Sequence, residues 1–263
     1  MTNTALNFKT APGHEVLAAA GKKMLRPGGK LATEQLFEWA DFKPGETVLE
    51  LAASFGYSSI ALVERFGVKV VGVEKNPDSV ARARANVAAA GLSDRVEIVE
   101  GDIFHLERIA EQFPQQFDWV LAEAILTMQS PSGKAKIVSG ICDRLKPGGK
   151  FLSHELLARN RESEIQKALS EVTRANSTPL SESGWIAVYQ NAGLQVEKCQ
   201  TGAMGLLNLS RMLQDEGFVG TVRIVWNILS RSQIRDRILA MRRVFQHYQQ
   251  DLGYIVISAK KQS

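Results

Sequence analysis

The chain has 263 residues, 44% of them hydrophobic, which suffices to bury a core in one α/β domain with insertions. The only cysteines are Cys142 and Cys199, and neither a CxxC pair nor a histidine-rich stretch accompanies them, so we expect free thiols and no metal site. No apolar run reaches about 18 residues, and the first seven residues lack the basic and apolar regions of a signal peptide. We therefore expect a cytoplasmic protein without a membrane span.

The formal net charge of +4 is concentrated near the C-terminus, where residues 200–263 carry nine Lys and Arg against four Asp and Glu. Arg231, Arg235 and Arg242 lie in a segment whose apolar residues keep helical spacing, so the arginines fall on its solvated face. Those apolar residues are Ile234, Ile238, Met241, Phe245 and Tyr248. Because no aromatic residues interleave with the arginines as a base-stacking surface would need, nucleic-acid binding is unlikely.

Two helices are predicted before the first strand, from about Glu15 to Met24 and from about Thr33 to Trp39, with a break at Pro27-Gly28-Gly29. From Thr47 onward, apolar strands alternate with helical segments. The strands lie near residues 47–51, 68–73, 95–99, 117–122 and 149–156. This alternation predicts a parallel sheet with right-handed crossovers.

Several of the connecting helices have clear ends. Asn76 is a predicted N-cap, Pro77 occupies the first helical position, and Gly91 stops that helix. A helix from about Lys134 to Leu145 ends at Lys146-Pro147-Gly148-Gly149, which predicts a tight turn into the fifth strand.

The last third of the chain adds a helix over 181–192, a sixth strand over 193–197 and a final strand over 252–259. Residues 205–250 between the last two strands are largely helical and too long for a plain connection. We therefore divide the chain into an N-terminal helical cap (1–44), a core (45–204 and 251–263) and a helical lid insertion (205–250).

The segment from Glu50 to Gly56 joins the first strand to a helix through small residues. Such a turn brings backbone N–H groups and a helix N-terminus close to a nucleotide-like ligand. The second strand ends in Glu74, a carboxylate that can accept hydrogen bonds from both ribose hydroxyls. A dinucleotide dehydrogenase shares these features but needs G-x-G-x-x-G in the first turn, which this chain lacks.

Two further motifs, Gly101-Asp102-Ile103 after the third strand and Arg144 to Gly149 before the fifth, complete a pattern. Together with the first turn and Glu74, they resemble the class I S-adenosyl-L-methionine-dependent methyltransferases, in particular the group acting on small molecules. The resemblance implies a Rossmann-like α/β fold: a seven-stranded, mostly parallel sheet whose antiparallel last strand lies between the fifth and sixth, plus helical cap insertions.

The resemblance also implies a cofactor site for S-adenosyl-L-methionine. It assigns the ribose to Glu74, and the adenine to Asp102 and Ile103. It assigns the methionine part to the first turn, namely Glu50, Ala52, Ala53, Ser54 and Gly56. Two neighbouring residues, Lys75 and Ala122, complete the site. The family's turn has an acid followed by glycines at alternating positions, whereas this chain has Ala52, Ser54 and Gly56, so the strength of cofactor binding is left open.

Methyl transfer by in-line displacement chiefly needs alignment, exclusion of water and, for some acceptors, removal of a proton. Glu123, at the end of the fourth strand, is the first candidate for a polar group near the acceptor. His154 and Glu155 follow, although strand alternation lets only one of them point at the site, and His14 could reach over it. The motifs typical of amino-group methylation of adenine or glutamine, and of cytosine carbon methylation, are absent after the fourth strand.

The predicted lid is rich in apolar residues, namely Met204, Leu206, Leu207, Met212, Phe218, Val222, Val225, Trp226 and Leu229. They indicate either a small, partly apolar acceptor or the packing of the insertion onto the sheet. The acceptor atom (O, N, S or C) stays undecided, as does the choice between monomer and homodimer. A non-catalytic cofactor-binding protein is the alternative hypothesis, and an RNA methyltransferase is a lesser one.

Overall fold

The computed structural model describes residues 7–111 and 116–262. Residues 1–6, on which the expectation about a signal peptide rests, lie outside these ranges. Seven strands form one sheet in the order β3-β2-β1-β4-β5-β7-β6. They are β1 (Thr47–Leu51), β2 (Lys69–Glu74), β3 (Val96–Glu100), β4 (Phe117–Glu123), β5 (Leu145–Ala158), β6 (Leu194–Ala203) and β7 (Leu252–Lys261). The first five strands pair in parallel, and β7 is antiparallel to both β5 and β6, which confirms the predicted fold.

The described helices surround this sheet. They are α1 (Gly13–Ala19), α2 (Gly29–Ala40), α3 (Tyr57–Phe66), α4 (Pro77–Ala89), α5 (Pro131–Arg144), α6 (Glu162–Thr173), α7 (Glu182–Asn191), α8 (Leu209–Ser230) and α9 (Ser232–His247), with 3-10 turns at Ile103–Glu111 and Leu126–Met128. The start of α4 is as predicted, because the Asn76 side chain accepts hydrogen bonds from the backbone N–H groups of Asp78 (2.9 Å) and Ser79 (3.1 Å).

Three elements differ from the sequence-based expectation. Helix α1 ends at Ala19 rather than Met24, because Gly21 adopts a left-handed conformation with φ of 101°. Gly148 does turn (φ 76°), but the turn lies inside β5 as an irregularity that shifts the β4–β5 register. Helix α6 was not predicted at all.

The core forms two layers, one on each face of the sheet. Val48 and Leu121 face α2, α3 and α4, whereas their neighbours Leu49 and Val120 face α5 and α7. This alternation follows from the period of two along a strand. The carboxyl ends of β1, β2 and β4 therefore emerge between two packed helical layers, at the edge that α1 and α2 cover.

Helices α8 and α9 pack on α1 in a third apolar cluster that includes Val16, Leu17, Met212, Ile224 and Met241. Polar contacts fasten the same interface. The Glu216 carboxylate accepts hydrogen bonds from the backbone N–H groups of Lys23 and Met24, both at 2.9 Å. It also lies 3.5 Å from the Lys22 ammonium, in an ion pair whose side chains are 3% and 1% exposed.

Replacing Glu216 by alanine tests the contribution of these contacts to stability. We expect the free energy of unfolding to fall by about 3 kcal/mol, because the substitution leaves the Lys22 ammonium buried without a counter-charge and two N–H groups without an acceptor. Urea denaturation measures the change. Asp236→Ala, an exposed acid on α9, is the matched control and should stay within about 0.5 kcal/mol of the wild type. Equal effects of the two substitutions would contradict the proposed role of Glu216.

Candidate active site

The turn after β1 has an unusual backbone. Ala52, Ser54 and Gly56 all adopt left-handed conformations, with φ of 54°, 51° and 76°. These are the alternating positions at which the family pattern has glycine. The chain therefore keeps the backbone of a glycine-rich turn while placing side chains on it, at a cost of about 1 kcal/mol for each non-glycine residue.

This turn lies close to β2. The backbone N–H of Ala53 donates to the Val73 carbonyl at 3.0 Å, which pulls the turn onto the neighbouring strand. Gly72 makes the approach possible, since a Cβ atom there would lie 2.9 Å from the Ala53 methyl group. The first turn of α3, which begins at Tyr57, points its N–H groups to the same edge of the sheet.

Glu74 ends β2 and closes the turn. Its carboxylate accepts hydrogen bonds from the backbone N–H groups of Ser54 and Asn76, both at 2.8 Å. Each oxygen is fixed by one of these bonds and keeps a further lone pair. Glu74 can therefore accept hydrogen bonds from a ligand diol while it keeps its hydrogen bonds from the Ser54 and Asn76 N–H groups.

Asp102 lies next to Glu74 across the β2–β3 pair. The Gly101 N–H donates to the Glu74 carbonyl at 2.9 Å, and the Lys75 ammonium pairs with Asp102 at 2.9 Å. Burial disfavours ionisation of Asp102, but Lys75 and a hydrogen bond from the Phe104 N–H hold the pKa of its carboxyl below the usual range. The two predicted strand-end acids thus occupy neighbouring positions at one edge, as an adenosine site requires.

The remaining predicted cofactor residues differ in exposure. Ile103 is half-buried and packs against the core beside Asp102, and Ser54 is exposed. Ala122 is fully buried at the end of β4, where it pairs with Leu51 and belongs to the floor of the site.

Glu50 is buried beneath the first turn. Its carboxyl group hydrogen-bonds the Ser59 hydroxyl on α3. Burial raises the pKa of Glu50 to about 7, against opposing contributions from Ser59 and Arg26. The side chain therefore ties the end of β1 to the start of α3.

Glu123 lies at the centre of a polar network between β4 and the N-terminal cap. Arg26 makes an ion pair with it at 2.8 Å, and the Thr33 hydroxyl donates to it at 2.5 Å. Arg26 also donates to the Thr33 and Ser58 hydroxyls. Burial opposes ionisation of Glu123, but the Arg26 guanidinium holds the pKa of its carboxyl below the usual value. The carboxylate is thus an anchor for the cap in this structure.

His154 belongs to the same network. Its Nε2 atom accepts a hydrogen bond from the Gly28 N–H at 3.0 Å, so the proton of the neutral ring lies on Nδ1, 3.4 Å from the Glu123 carboxylate. The side chain is fully buried, and burial lowers the pKa of His154 despite the nearby Glu123. Both ring nitrogens of His154 therefore have polar partners within the fold, namely the Gly28 N–H and the Glu123 carboxylate.

Glu155 points to the opposite face of β5. It accepts hydrogen bonds from the N–H groups of Leu126 (3.0 Å) and Thr127 (2.8 Å) and from the Thr127 hydroxyl (2.6 Å). Burial raises the pKa of Glu155 to about 7. Burial also lowers the pKa of the Lys134 ammonium to about 8, although the Glu155 carboxylate acts to raise it. Glu155 thus holds the short turn after β4 in place. Alternation separates His154 and Glu155, and neither lines the cavity between the N-terminal cap, α6 and α9.

A cavity of about 720 Å³, counting the space at its mouth, lies beside this turn. Its wall combines the cap, the turn after β4, β5, α6 and α9. The lining residues are Gly13, His14, Leu17, Leu25, Pro27, Ala124, Thr127, Met128, Leu156, Leu169, Thr173, Ala175, Ser177, Met204, Leu206, Met241 and Phe245. Of the four predicted catalytic side chains, His14 alone lines this cavity.

His14 lies on α1 and is exposed to solvent as well as lining the cavity, and the nearby carboxylates of Glu15 and Glu74 favour its protonated form. Burial of the ring lowers the pKa of His14, although Glu15 and Glu74 act to raise it. The imidazole is therefore neutral at pH 7. A neutral imidazole in a cavity wall can accept a proton.

Sequence reasoning missed the contribution of α6 and the following segment, which supply Leu169, Thr173 and Ser177 to the wall. The signal was present, because Ile165, Leu169 and Val172 keep helical spacing. It also missed Arg26 and Thr33, the cap residues that hold Glu123. No local pattern identifies such partners, since Thr33 and Glu123 are 90 residues apart.

The sheet order, the left-handed turn closed by Glu74 and the neighbouring Asp102 together define a class I S-adenosylmethionine-dependent methyltransferase. The residues present fit the cofactor, because the Glu74 and Asp102 carboxylates at this edge can accept hydrogen bonds from ribose hydroxyls and an adenine amino group, beside a turn of small side chains. The model of a family described as a methyltransferase domain matches residues 42–217. The chain belongs to this family.

Individual proteins and solved structures are similar to this chain. A Haemophilus influenzae protein described as uncharacterized is 32% identical over 254 residues, which span 96% of this chain and 99% of its own length. A Geobacter sulfurreducens S-adenosylmethionine-dependent methyltransferase, solved in complex with S-adenosyl-L-homocysteine, is 15% identical with a TM-score of 0.67, covering 93% of this chain and 97% of that one. Haemonchus contortus phosphoethanolamine N-methyltransferase 2, in complex with S-adenosyl-L-methionine, is 18% identical with a TM-score of 0.73, covering 94% of this chain and 57% of that one. These two structures show a shared fold.

Glycine substitutions test the strained turn. We expect Ala52→Gly and Ser54→Gly each to raise the free energy of unfolding by about 0.5–1 kcal/mol, because glycine adopts a left-handed φ without steric strain. Ala53→Gly is the control: Ala53 is buried and lacks a positive φ, so this change should destabilise the protein. Urea denaturation of the three variants measures the difference. A loss of stability in all three would show that the turn has another conformation.

The raised pKa values of Glu50 and Glu155 predict a pH dependence. The folded state holds these protons more tightly than the unfolded state, so the stabilisation is complete below pH 4.5 and disappears as the pH rises to about 7. Each carboxyl group should contribute about 3 kcal/mol to this fall. Urea denaturation between pH 5 and 7.5 measures it, and Glu50→Gln or Glu155→Gln should each remove about half of the slope.

Asp118→Asn provides the control for this experiment. Burial opposes ionisation of Asp118, but hydrogen bonds from Lys146 and Thr47 hold the pKa of its carboxyl below 3.8. Asp118 therefore changes the stability only at pH values below the measured range. The slope should be unchanged in this variant. The lowered pKa values of His14 and His154 add an opposite slope over the same interval, so the test is the difference between each variant and the wild type. A Glu50→Gln or Glu155→Gln slope equal to that of the wild type would contradict the prediction.

Proposed function

We propose that this methyltransferase acts on a small, partly apolar acceptor that binds in the cavity beside Ala124, and that His14 receives the acceptor proton. The observation that carries the proposal is the composition of the cavity wall. Apolar side chains surround three hydroxyl groups (Thr127, Thr173 and Ser177) and one imidazole, and the described lining residues include no carboxylate, lysine or arginine. Such a wall suits an uncharged acceptor better than an acceptor that carries a phosphate or an ammonium group.

The cofactor-binding residues follow from the geometry of the sheet edge. Glu74 would hold the ribose hydroxyls, and Asp102 the adenine amino group, with Ile103 against the purine face. The 52–56 turn and the N-terminus of α3 would hold the methionine part. When bound, S-adenosylmethionine supplies an electrophilic methyl carbon for in-line displacement.

The chain's own residues align the acceptor and remove its proton. The turn after β4, fixed by Glu155, places Ala124 at the junction of the cofactor edge and the cavity. His14 is neutral near pH 7 and can take a proton from an acceptor hydroxyl, thiol or amine as the bond to carbon forms. We assign Glu123 and His154 to positioning, because their contacts fasten the cap over the site.

The cap and the 205–250 insertion act together as a lid in this proposal. Residues from α1 and α9 line the same cavity, and Gly13 packs so closely that a Cβ atom there would lie 2.9 Å from the Met241 sulfur. This enclosure excludes water from the reacting atoms.

Cofactor binding is the first test. Calorimetric titration with S-adenosylmethionine and S-adenosylhomocysteine should show binding by the wild type, and Glu74→Ala should weaken it by about 10- to 100-fold, because it removes hydrogen bonds to a charged group. Glu100→Ala is the matched control: it removes the exposed acid paired with Glu74 in the β2–β3 register and should bind normally. Binding that is equal in both variants would contradict the assigned role of Glu74.

Acceptor turnover is the second part of this test. A panel of phenols, alcohols, thiols and amines is incubated with methyl-labelled cofactor, and uncharged members should acquire label. His14→Ala should lower kcat by about 100-fold while cofactor affinity stays unchanged, whereas His247→Ala should leave both parameters unchanged. Label that reaches only RNA or protein would refute a small-molecule acceptor. Cofactor binding without label transfer to any acceptor would favour the non-catalytic alternative.

A further inference from the structure

Helix α8 carries large apolar side chains on its solvent side. Five of them form what we call the outer stripe: Phe218 (74% exposed), Val219 (81%), Val222 (51%), Trp226 (70%) and Leu229 (61%). The spacing from Val219 to Leu229 is helical, so these side chains share one face. We expected Phe218, Val222, Trp226 and Leu229 to pack onto the sheet or to line the acceptor pocket. The structure corrects that expectation, because they do neither.

The opposite face of α8 is also apolar. Met212 and Ile224 are buried in the cluster shared with α1 and α9. A helix that is apolar on all sides normally has an apolar environment on all sides. A contiguous exposed patch containing tryptophan and phenylalanine indicates a binding surface.

The solvent-facing charges of the α8–α9 hairpin, which carries the outer stripe, are strongly unbalanced. Arg223 is the only charged residue between Gly217 and Ser230, and Arg231, Arg235, Arg242 and Arg243 on or beside α9 also reach solvent. Asp236 is the single acid among them, and it pairs with Arg235 at 3.6 Å. The other acids of α8 turn inward: Asp215 accepts from the Lys30 N–H at 2.8 Å, and Glu216 holds Lys22 to Met24.

We propose that the α8–α9 hairpin binds the surface of a bilayer that contains anionic lipids. The aromatic and aliphatic side chains of the outer stripe enter the interface between headgroups and acyl chains, and the arginines contact the lipid phosphates. The association is peripheral, since no helix among the described residues is long and apolar enough to cross a membrane.

The charge pattern favours a lipid surface over a second copy of this chain. In a symmetric dimer the same patch would face itself, so the arginines of one copy would meet those of the other with one aspartate each to offset them. An anionic bilayer complements both the apolar stripe and the surrounding positive charge.

Vesicle co-sedimentation of the full chain tests the proposal. The wild type should sediment with vesicles of equimolar phosphatidylglycerol and phosphatidylcholine, and binding to phosphatidylcholine alone should be weaker. Trp226→Ser and Val219→Ser should each weaken binding by about 10-fold, through lost apolar burial. Arg242→Ala should weaken it by about fivefold, and high salt should reduce it further.

Matched variants separate surface chemistry from folding. Trp226→Phe keeps an aromatic side chain and should bind within about threefold of the wild type. Arg95→Ala removes an exposed arginine before β3 and should bind as the wild type does. Circular dichroism verifies that every variant is folded. We expect Val219→Ser to disturb folding least, because the Val219 side chain is 81% exposed.

Two outcomes would overturn the proposal. One is a wild type that stays in the supernatant with both kinds of vesicle. The other is a concentration-dependent dimer, measured by light scattering, that Val219→Ser dissociates while neither protein binds vesicles. Cofactor titration is independent of this surface, so a failure here leaves the proposed enzymatic function standing.

Discussion

The active-site edge depends on the close approach of the turn after β1 to the end of β2. Three left-handed residues bend the backbone, and the Glu74 carboxylate holds the bend through the Ser54 N–H. Gly72 is required for the same reason, since any side chain there would collide with Ala53. The strain in Ala52 is offset by these contacts, so the chain can dispense with two of the glycines that its family uses. The backbone conformation of a glycine-rich turn therefore persists although the local sequence departs from the pattern.

The cap is held over this edge by buried polar groups rather than by apolar packing alone. Taking Glu123 and Arg26 out of water is unfavourable. The ion pair with the guanidinium and the contacts of Glu123 with the Thr33 hydroxyl and the His154 imidazole offset this cost. His154 in turn accepts from the Gly28 backbone. Such a network specifies one position of the cap, because a shifted cap would leave a buried carboxylate unpaired. Residues that resemble catalytic acids and bases by sequence thus build the enclosure in which His14 faces the cavity.

The sequence was informative wherever a structural feature depends on neighbours along the chain. Strand alternation, the Asn76-Pro77 helix start and the strand-end acids depend on local chemistry, and they predicted the sheet and the adjacency of Glu74 and Asp102. The cavity was harder to predict from the sequence, because its wall combines residues from His14 to Phe245 that only the tertiary fold brings together. Helix α6 escaped prediction because it starts after Arg161, which is left-handed and caps no N–H group with its side chain. Alternation correctly separated His154 from Glu155 but could not show that Gly28, 126 residues away, occupies the imidazole.

The α8–α9 hairpin faces two environments at once. Met241 and Phe245 of α9 line the cavity, whereas Trp226 and Val219 of α8 face outward. Gly217, with φ of 72°, breaks α8 between the segment that Glu216 ties to the cap and the segment that carries the outer stripe. The segment that carries the stripe is packed through Ile224 into the apolar cluster that also holds Met241 and Leu17 of the cap. Because α1 also carries His14, a contact made on the outer stripe and the alignment of the proposed proton acceptor are connected through one continuous set of packed side chains.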